Sequence, residues 1–139
     1  MAYPDRKVFF NSDENSITLL KVGVYSLLKT TDPTKRLLIF IAHNQTFADL
    51  GYCEELKAIV DKFDFAEVMF GNLTPTLEQY PETFNLTKFK AMMWGFPLCE
   101  RILPADMGGK IVYLDMDIVV AKDLEELYTM DLKGNVAAS

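Results

Sequence analysis

Lys110-Ile-Val-Tyr-Leu-Asp-Met-Asp-Ile-Val-Val-Ala-Lys-Asp-Leu-Glu-Glu-Leu-Tyr128 decides the reading of this chain. Its first residues, Lys110 to Leu114, form an apolar run of strand length that ends on Asp115-Met116-Asp117. Ile118 to Ala121 continues extended. Asp123 then opens a short helix, with Glu126 three residues on as its capping-box partner. In extended chain, residues i and i+2 project to one side, so the Asp115 and Asp117 Cα atoms are expected about 7 Å apart on a common face. Two carboxylates so placed can converge on one ion, or share an ion and a neighbouring hydroxyl. Hard oxygen ligands suit Mg²⁺ or Mn²⁺, which keep coordination positions open for diphosphate oxygens. The plain alternative is a pair of solvated strand-end carboxylates. The apolar run Ile111 to Leu114 before the pair, and a separate cap at Asp123, weigh against it.

Upstream, strand and helix patterns alternate. Lys7 to Ser12 reads as a buried strand and Ser16 to Lys29 as a helix. Ile17, Leu20, Val24, Leu27 and Leu28 recur there at spacings of three and four. Thr31-Asp32-Pro33 stops that helix. Leu37 to Ala42 is a second buried strand, Phe47 to Phe63 a second amphipathic helix, and Ala66 to Phe70 a third strand. Leu50, Cys53, Leu56, Ile59, Val60 and Phe63 mark the helix's apolar side. Gly71 to Asn85, with Pro75 and Pro81, reads as a long loop of the kind that often carries function. Helical pattern resumes from about Leu86 toward Arg101, strained by Gly95 and Pro97. Gly134 ends the segment after the aspartate pair, and Val136-Ala137-Ala138 opens a last strand.

This alternation predicts an α/β domain with a mostly parallel sheet, spanning residues 1–139 as one unit. Ligands in such sheets gather at the carboxyl ends of strands. Two polar clusters lie at strand ends: Asn11-Ser12-Asp13-Glu14-Asn15 and Asp115-Met116-Asp117.

Composition narrows the function. The chain has 139 residues and a net charge of −6, which argues against a nucleic-acid binder relying on clustered Lys and Arg. A divalent cation between carboxylates and phosphates would still admit a nucleotide. No apolar run has the length of a membrane span. Met1-Ala2-Tyr3-Pro4-Asp5 lacks a signal pattern, so the sequence reads as cytoplasmic. Cys53 and Cys99 have neither CxxC nor metal-ligand spacing and read as free buried thiols.

Two families present an apolar strand followed by Asp-x-Asp. Asp115-Met116-Asp117-Ile118-Val119 resembles the motif of haloacid-dehalogenase-type phosphatases. That motif normally opens its domain, however, and here 22 residues follow Asp117. The stretch from Lys110 to Tyr128 also resembles the family 8 glycosyltransferases, which include bacterial lipopolysaccharide galactosyltransferases and glycogenin. Asp131 to Ala138 is similar to that family's next stretch. Phe9-Phe10-Asn11-Ser12-Asp13-Glu14-Asn15, with Leu20 and Ser26-Leu27-Leu28, resembles its first strand, turn and helix. Lys90-Ala91-Met92-Met93-Trp94 resembles a Lys-x-x-x-Trp found before the metal strand of glycogenin-like members.

That resemblance implies a Rossmann-like GT-A nucleotide-diphospho-sugar transferase fold, incomplete at the C-terminus. It implies transfer of a hexose from a UDP-sugar to a sugar or glycan hydroxyl, with retention and with Mn²⁺ or Mg²⁺. Asp117 would bind the metal, and Asp115 the metal and ribose. Asp13 and Asn15, with backbone groups of Asn11 and Ser12, would hold uracil and ribose, and Lys90 would approach the diphosphate. Ser16 stands where the family often has Tyr, and Phe96 near an Arg of bacterial members. The family's later His-x-x-Gly-x-x-Lys motif is absent from this sequence. His43, the one histidine, reads as a strand-end residue rather than a substitute ligand. The alternative function is a non-catalytic nucleotide-binding or assembly module. Sheet edges and apolar surface left uncovered favour self-association.

Overall fold

The computed structural model describes residues 2–79 and 95–137. Strand β1 (Arg6–Ser12) leads through a 3-10 turn (Glu14–Ser16) into helix α1 (Ile17–Thr30). Strand β2 (Leu37–His43) is followed by helices α2 (Gln45–Asp49) and α3 (Tyr52–Val60). Strand β3 (Ala66–Asn72), the short helix α4 (Thr74–Leu77), a 3-10 turn (Cys99–Arg101), strand β4 (Val112–Tyr113) and helix α5 (Glu125–Thr129) complete the order. The sheet runs β3-β2-β1-β4 with every pairing parallel.

Both faces of the sheet are covered, and this explains the unbroken apolar runs of β1 and β2. Val8, Phe10, Ile39 and Ile41 face α1 and α3 and join Leu20, Val24, Leu27, Leu56 and Val60 in the larger core. Phe9, Phe40 and Ala42 face the other way, toward Cys99, Ile102, Leu103, Met107 and Ile111. The Phe9 and Phe40 rings stack there with centroids 5.6 Å apart. The heptad-like spacing of α1 is realised, with Leu20, Val24, Leu27 and Leu28 buried. Thr31 closes the helix as expected: its amide and its hydroxyl both donate to the Leu27 carbonyl, at 3.0 and 2.8 Å.

Several expectations are corrected. The single helix over Phe47 to Phe63 is two helices, because Gly51 takes a left-handed φ of 78° between them. Leu50, expected on the apolar side, is exposed as a result. The loop expected from Gly71 begins later, since β3 continues to Asn72 and α4 follows; the rest of that loop, and the expected helix up to residue 94, lie outside the described residues. Cys99–Arg101, expected as the helix's end, forms a 3-10 turn. β4 is shorter than Lys110 to Leu114, and the chain turns at Met116-Asp117 instead of continuing extended. Val136 is fully exposed and starts no strand.

The capping box at Asp123 is also replaced. Helix α5 starts at Glu125, and the Glu126 carboxylate pairs with Lys122. Asp123 becomes a three-way tie instead. Its carboxylate accepts from the amides of Glu125 at 2.7 Å and Asp32 at 2.6 Å, and it pairs with the buried Arg6 at 3.3 Å. Glu125 binds the same guanidinium, which also lies over the Tyr128 ring, 5.4 Å from its centroid. One carboxylate therefore fastens the segment after β4 to the α1–β2 turn and to the start of β1.

Candidate functional site

With the order β3-β2-β1-β4, connections leave β1 toward β2 on one side, while β4 lies on the other. The carboxyl ends of β1 and β4 therefore flank the topological switch point, where open α/β sheets bind ligands. The two polar clusters expected from sequence sit there: Asn11 to Asn15 follow β1, and Asp115 and Asp117 follow β4.

From Leu114 to Val120 the chain alternates between core and solvent. Leu114, Met116, Ile118 and Val120 pack into the larger core, while Asp115, Asp117 and Val119 are exposed. Helix α1 fixes this alternation through two small residues. A Cβ on Gly23 would lie 3.3 Å from the Ile118 carbonyl oxygen and 3.5 Å from that of Met116, so the helix approaches this backbone more closely than a side chain would comfortably permit. One turn on, the Ser26 hydroxyl donates to the Gly23 carbonyl at 2.8 Å and accepts from the Val120 amide at 2.9 Å. The apolar α1 pattern gave no reason to weigh Gly23 or Ser26 as site residues; two small residues three apart on its sheet-facing side are the signal.

Tyr113 is the other residue not anticipated. Its hydroxyl donates to Asp115 Oδ1 at 3.0 Å. Burial pushes this phenol up to about 12, helped by the Asp115 hydrogen bond and the charges of Asp115 and Asp117. The phenol thus stays protonated and remains a donor across the neutral range. The Phe96 ring packs on Tyr113 with centroids 4.7 Å apart. Gly95 lies against the Asn11 carboxamide, where an added Cβ would be 2.3 Å from Asn11 Nδ2. Gly95 and Phe96 therefore bring the connection before β4 over the ends of β1 and β4.

The β1 cluster is a shaped turn. Asp13 is buried, and its carboxylate accepts from the Asn15 amide at 2.9 Å while its carbonyl accepts from Ser16 at 3.3 Å. Ser12 is buried and donates to the Asp13 carbonyl at 3.0 Å. Asn15 is exposed. Glu14 accepts from the Asn44 amide group at 2.6 Å, and Asn44 caps α2 by accepting from Phe47. Expected side-chain roles for Asp13 and Asn15 thus fall on one residue already engaged locally and one open to solvent. Lys90 and Trp94 lie outside the described residues.

His43 is buried at the end of β2, as a strand-end residue. Its Nδ1 contacts the Asn44 carbonyl at 2.9 Å, its Nε2 lies 3.7 Å from Cys53 Sγ, and its ring stacks on Phe47. Burial lowers its pKa. Both thiols are free, and burial pushes Cys53 up to about 11, which keeps it an unreactive thiol.

Among the described residues no group of three or more His, Cys, Asp or Glu is placed to hold a metal. Asp115 and Asp117 offer carboxylate oxygens on one exposed strip, a donor type suited to a hard divalent cation that keeps other positions for a ligand or water.

The profile of Glycosyl transferase family 8 matches residues 7–139. The chain belongs to glycosyl transferase family 8. This assigns the apolar strand and Asp-x-Asp to the glycosyltransferase alternative rather than the phosphatase one. Solved structures agree on the GT-A fold. The apo structure of the bifunctional glycosyltransferase WbbM superposes with a TM-score of 0.73 at 17% identity, over 93% of this chain and 21% of that one. Apo mouse xyloside xylosyltransferase 1 gives 0.62 at 14% identity, over 88% of this chain and 46% of the other. The family 8 chain thus spans less than half the length of either structure. No curated sequence matches it. No described helix is long and apolar enough to cross a membrane.

Proposed function

We propose that this family 8 chain is the donor-binding part of a retaining glycosyltransferase, an incomplete GT-A domain over residues 1–139. The enzyme moves a hexose from a UDP-sugar to a hydroxyl of a sugar or glycan. Asp115 and Asp117 hold Mn²⁺ or Mg²⁺. Asp115 also reaches the ribose, Asp13 and Asn15 with the backbone of Asn11 and Ser12 take uracil and ribose, and Lys90 approaches the diphosphate. The observation that carries this reading is that the β1 turn and the two exposed carboxylates follow neighbouring strand ends that flank the switch point of the sheet.

The chain's own residues have definite tasks in this scheme. Gly23 and Ser26 keep the backbone of Met116 to Val120 against α1, so the two carboxylates face outward on a fixed strip. The Tyr113 phenol orients Asp115. Phe96 on Tyr113 gives that edge of the site an apolar wall. A bound divalent ion supplies positive charge where a departing nucleotide diphosphate gathers negative charge.

Calorimetry with UDP and Mn²⁺ tests the assignment. Asp117→Ala is expected to weaken binding at least about ten-fold; an unchanged affinity overturns it. The second reading is a non-catalytic nucleotide-binding or assembly module. It is favoured by there being no third His, Cys, Asp or Glu grouped with the pair among the described residues. Transfer or hydrolysis of a sugar nucleotide by the 139-residue chain rejects that second reading.

A further inference from the structure

The opposite pole of the sheet carries a cleft of about 810 Å³, within the range of small-molecule sites. Five cations line it: Arg6 and Lys7 at the start of β1, Lys35 and Arg36 just before β2, and Lys110 just before β4. Two lining carboxylates, Asp5 and Glu125, oppose them. That gathers positive charge in one place on a chain whose net charge is −6.

The chain satisfies only part of this charge. Arg6 is held by Asp123 and Glu125, and Arg36 pairs with Glu67 at 2.8 Å. Lys7, Lys35 and Lys110 form no salt bridge among the described residues. The Lys7 ammonium is buried and donates to the Pro4 carbonyl at 3.2 Å. Lys110 donates to the Met130 carbonyl at 2.7 Å. Each ammonium has three donors, so both retain hydrogen-bonding capacity. Tyr128 also lines the cleft, and its buried hydroxyl has no hydrogen-bond partner among the described residues. Burial pushes that phenol up to about 12, which leaves it a neutral donor. A buried hydroxyl without a partner is costly, and here it accompanies under-used ammonium groups.

We propose that this cleft is a second, metal-independent binding site for a phosphate-class anion, held by Lys7, Lys35 and Lys110 with the Tyr128 hydroxyl as an additional donor. It lies at the amino ends of the strands and shares no residue with the Asp115–Asp117 site. The competing explanation is that the cations only balance the carboxyl ends of α1 and α5.

Inorganic pyrophosphate in EDTA is the probe, read by calorimetry on the full chain at low salt. Binding is expected, weakening as salt rises. Lys35→Gln combined with Lys110→Gln, both exposed positions, should weaken it about ten-fold, and Tyr128→Phe about three-fold. Asp117→Ala should leave it unchanged, which separates this site from the proposed donor site. Flotation with phosphatidylcholine vesicles containing phosphatidic acid distinguishes the source. Vesicle binding displaced by pyrophosphate supports a lipid headgroup; pyrophosphate binding without vesicle binding supports a free phosphate ester. No heat with pyrophosphate in EDTA overturns the proposal, as does equal weakening by Lys57→Gln, which lies outside the cleft.

Discussion

Strands β1 and β2 and the strip after β4 are fixed in different ways. β1 and β2 pair over seven residues each and are buried on both faces. The segment from Val112 to Tyr128 pairs with the sheet over two residues, sends Leu114, Met116, Ile118, Val120 and Tyr128 into the larger core, and adds point attachments: the Gly23 contact, the Ser26 hydroxyl and the Asp123 tie. Burial makes the first region tolerant of small local losses but intolerant of large ones. The second region buries only every other side chain and adds a few directional bonds, and it is the one that carries the proposed metal ligands.

This contrast can be broken from either side. The largest effect is expected from Phe10→Ala, which empties a fully buried position in β1 beside Gly23. It should cost about 3–5 kcal/mol in urea unfolding and lower protection of the whole sheet in hydrogen exchange. Asp123→Ala removes acceptors for two amides and one guanidinium, while Glu125 still answers Arg6. A loss of about 2 kcal/mol is expected, with exchange accelerated mainly at Asp32, Glu125 and α5. Smallest is Ser26→Ala, expected to cost about 1 kcal/mol. Its UDP–Mn²⁺ affinity should nonetheless fall, because Val120 loses its anchor to α1. If all three substitutions weaken every region equally, the two regions are one cooperative unit and the contrast fails.

The same contrast explains what the sequence disclosed. Apolar periodicity is a record of burial, so β1, α1, β2 and β3 were legible within a residue or two at most ends. The strand-end aspartates were legible because the apolar run before them is short and abrupt. What escaped was set by backbone geometry and long-range bonds. Gly51 breaks a helix whose side chains read as continuous, because its left-handed φ overrides the pattern. Asp123 looked like an ordinary cap, and only the fold brings Arg6 and Asp32 to it from more than ninety positions away. Tyr113, read as one member of an apolar strand, bears its hydroxyl on Asp115. The basic cleft was equally hidden, since its lysines and arginines lie in three separate stretches, each unremarkable alone.

The separation between Arg6 and Asp123 also bears on how the polypeptide matures. During synthesis β1, α1, β2 and β3 emerge before Asp123 exists, so they can collapse around their own apolar faces first. The bonds from Asp123 to Arg6 and Asp32 close loops of more than ninety residues, a slow and late event by its entropy. Until then the buried guanidinium of Arg6 lacks its counter-charges and one flank of β1 lacks a neighbour. A nascent chain halted before Asp123 would expose that flank to the wrong partners.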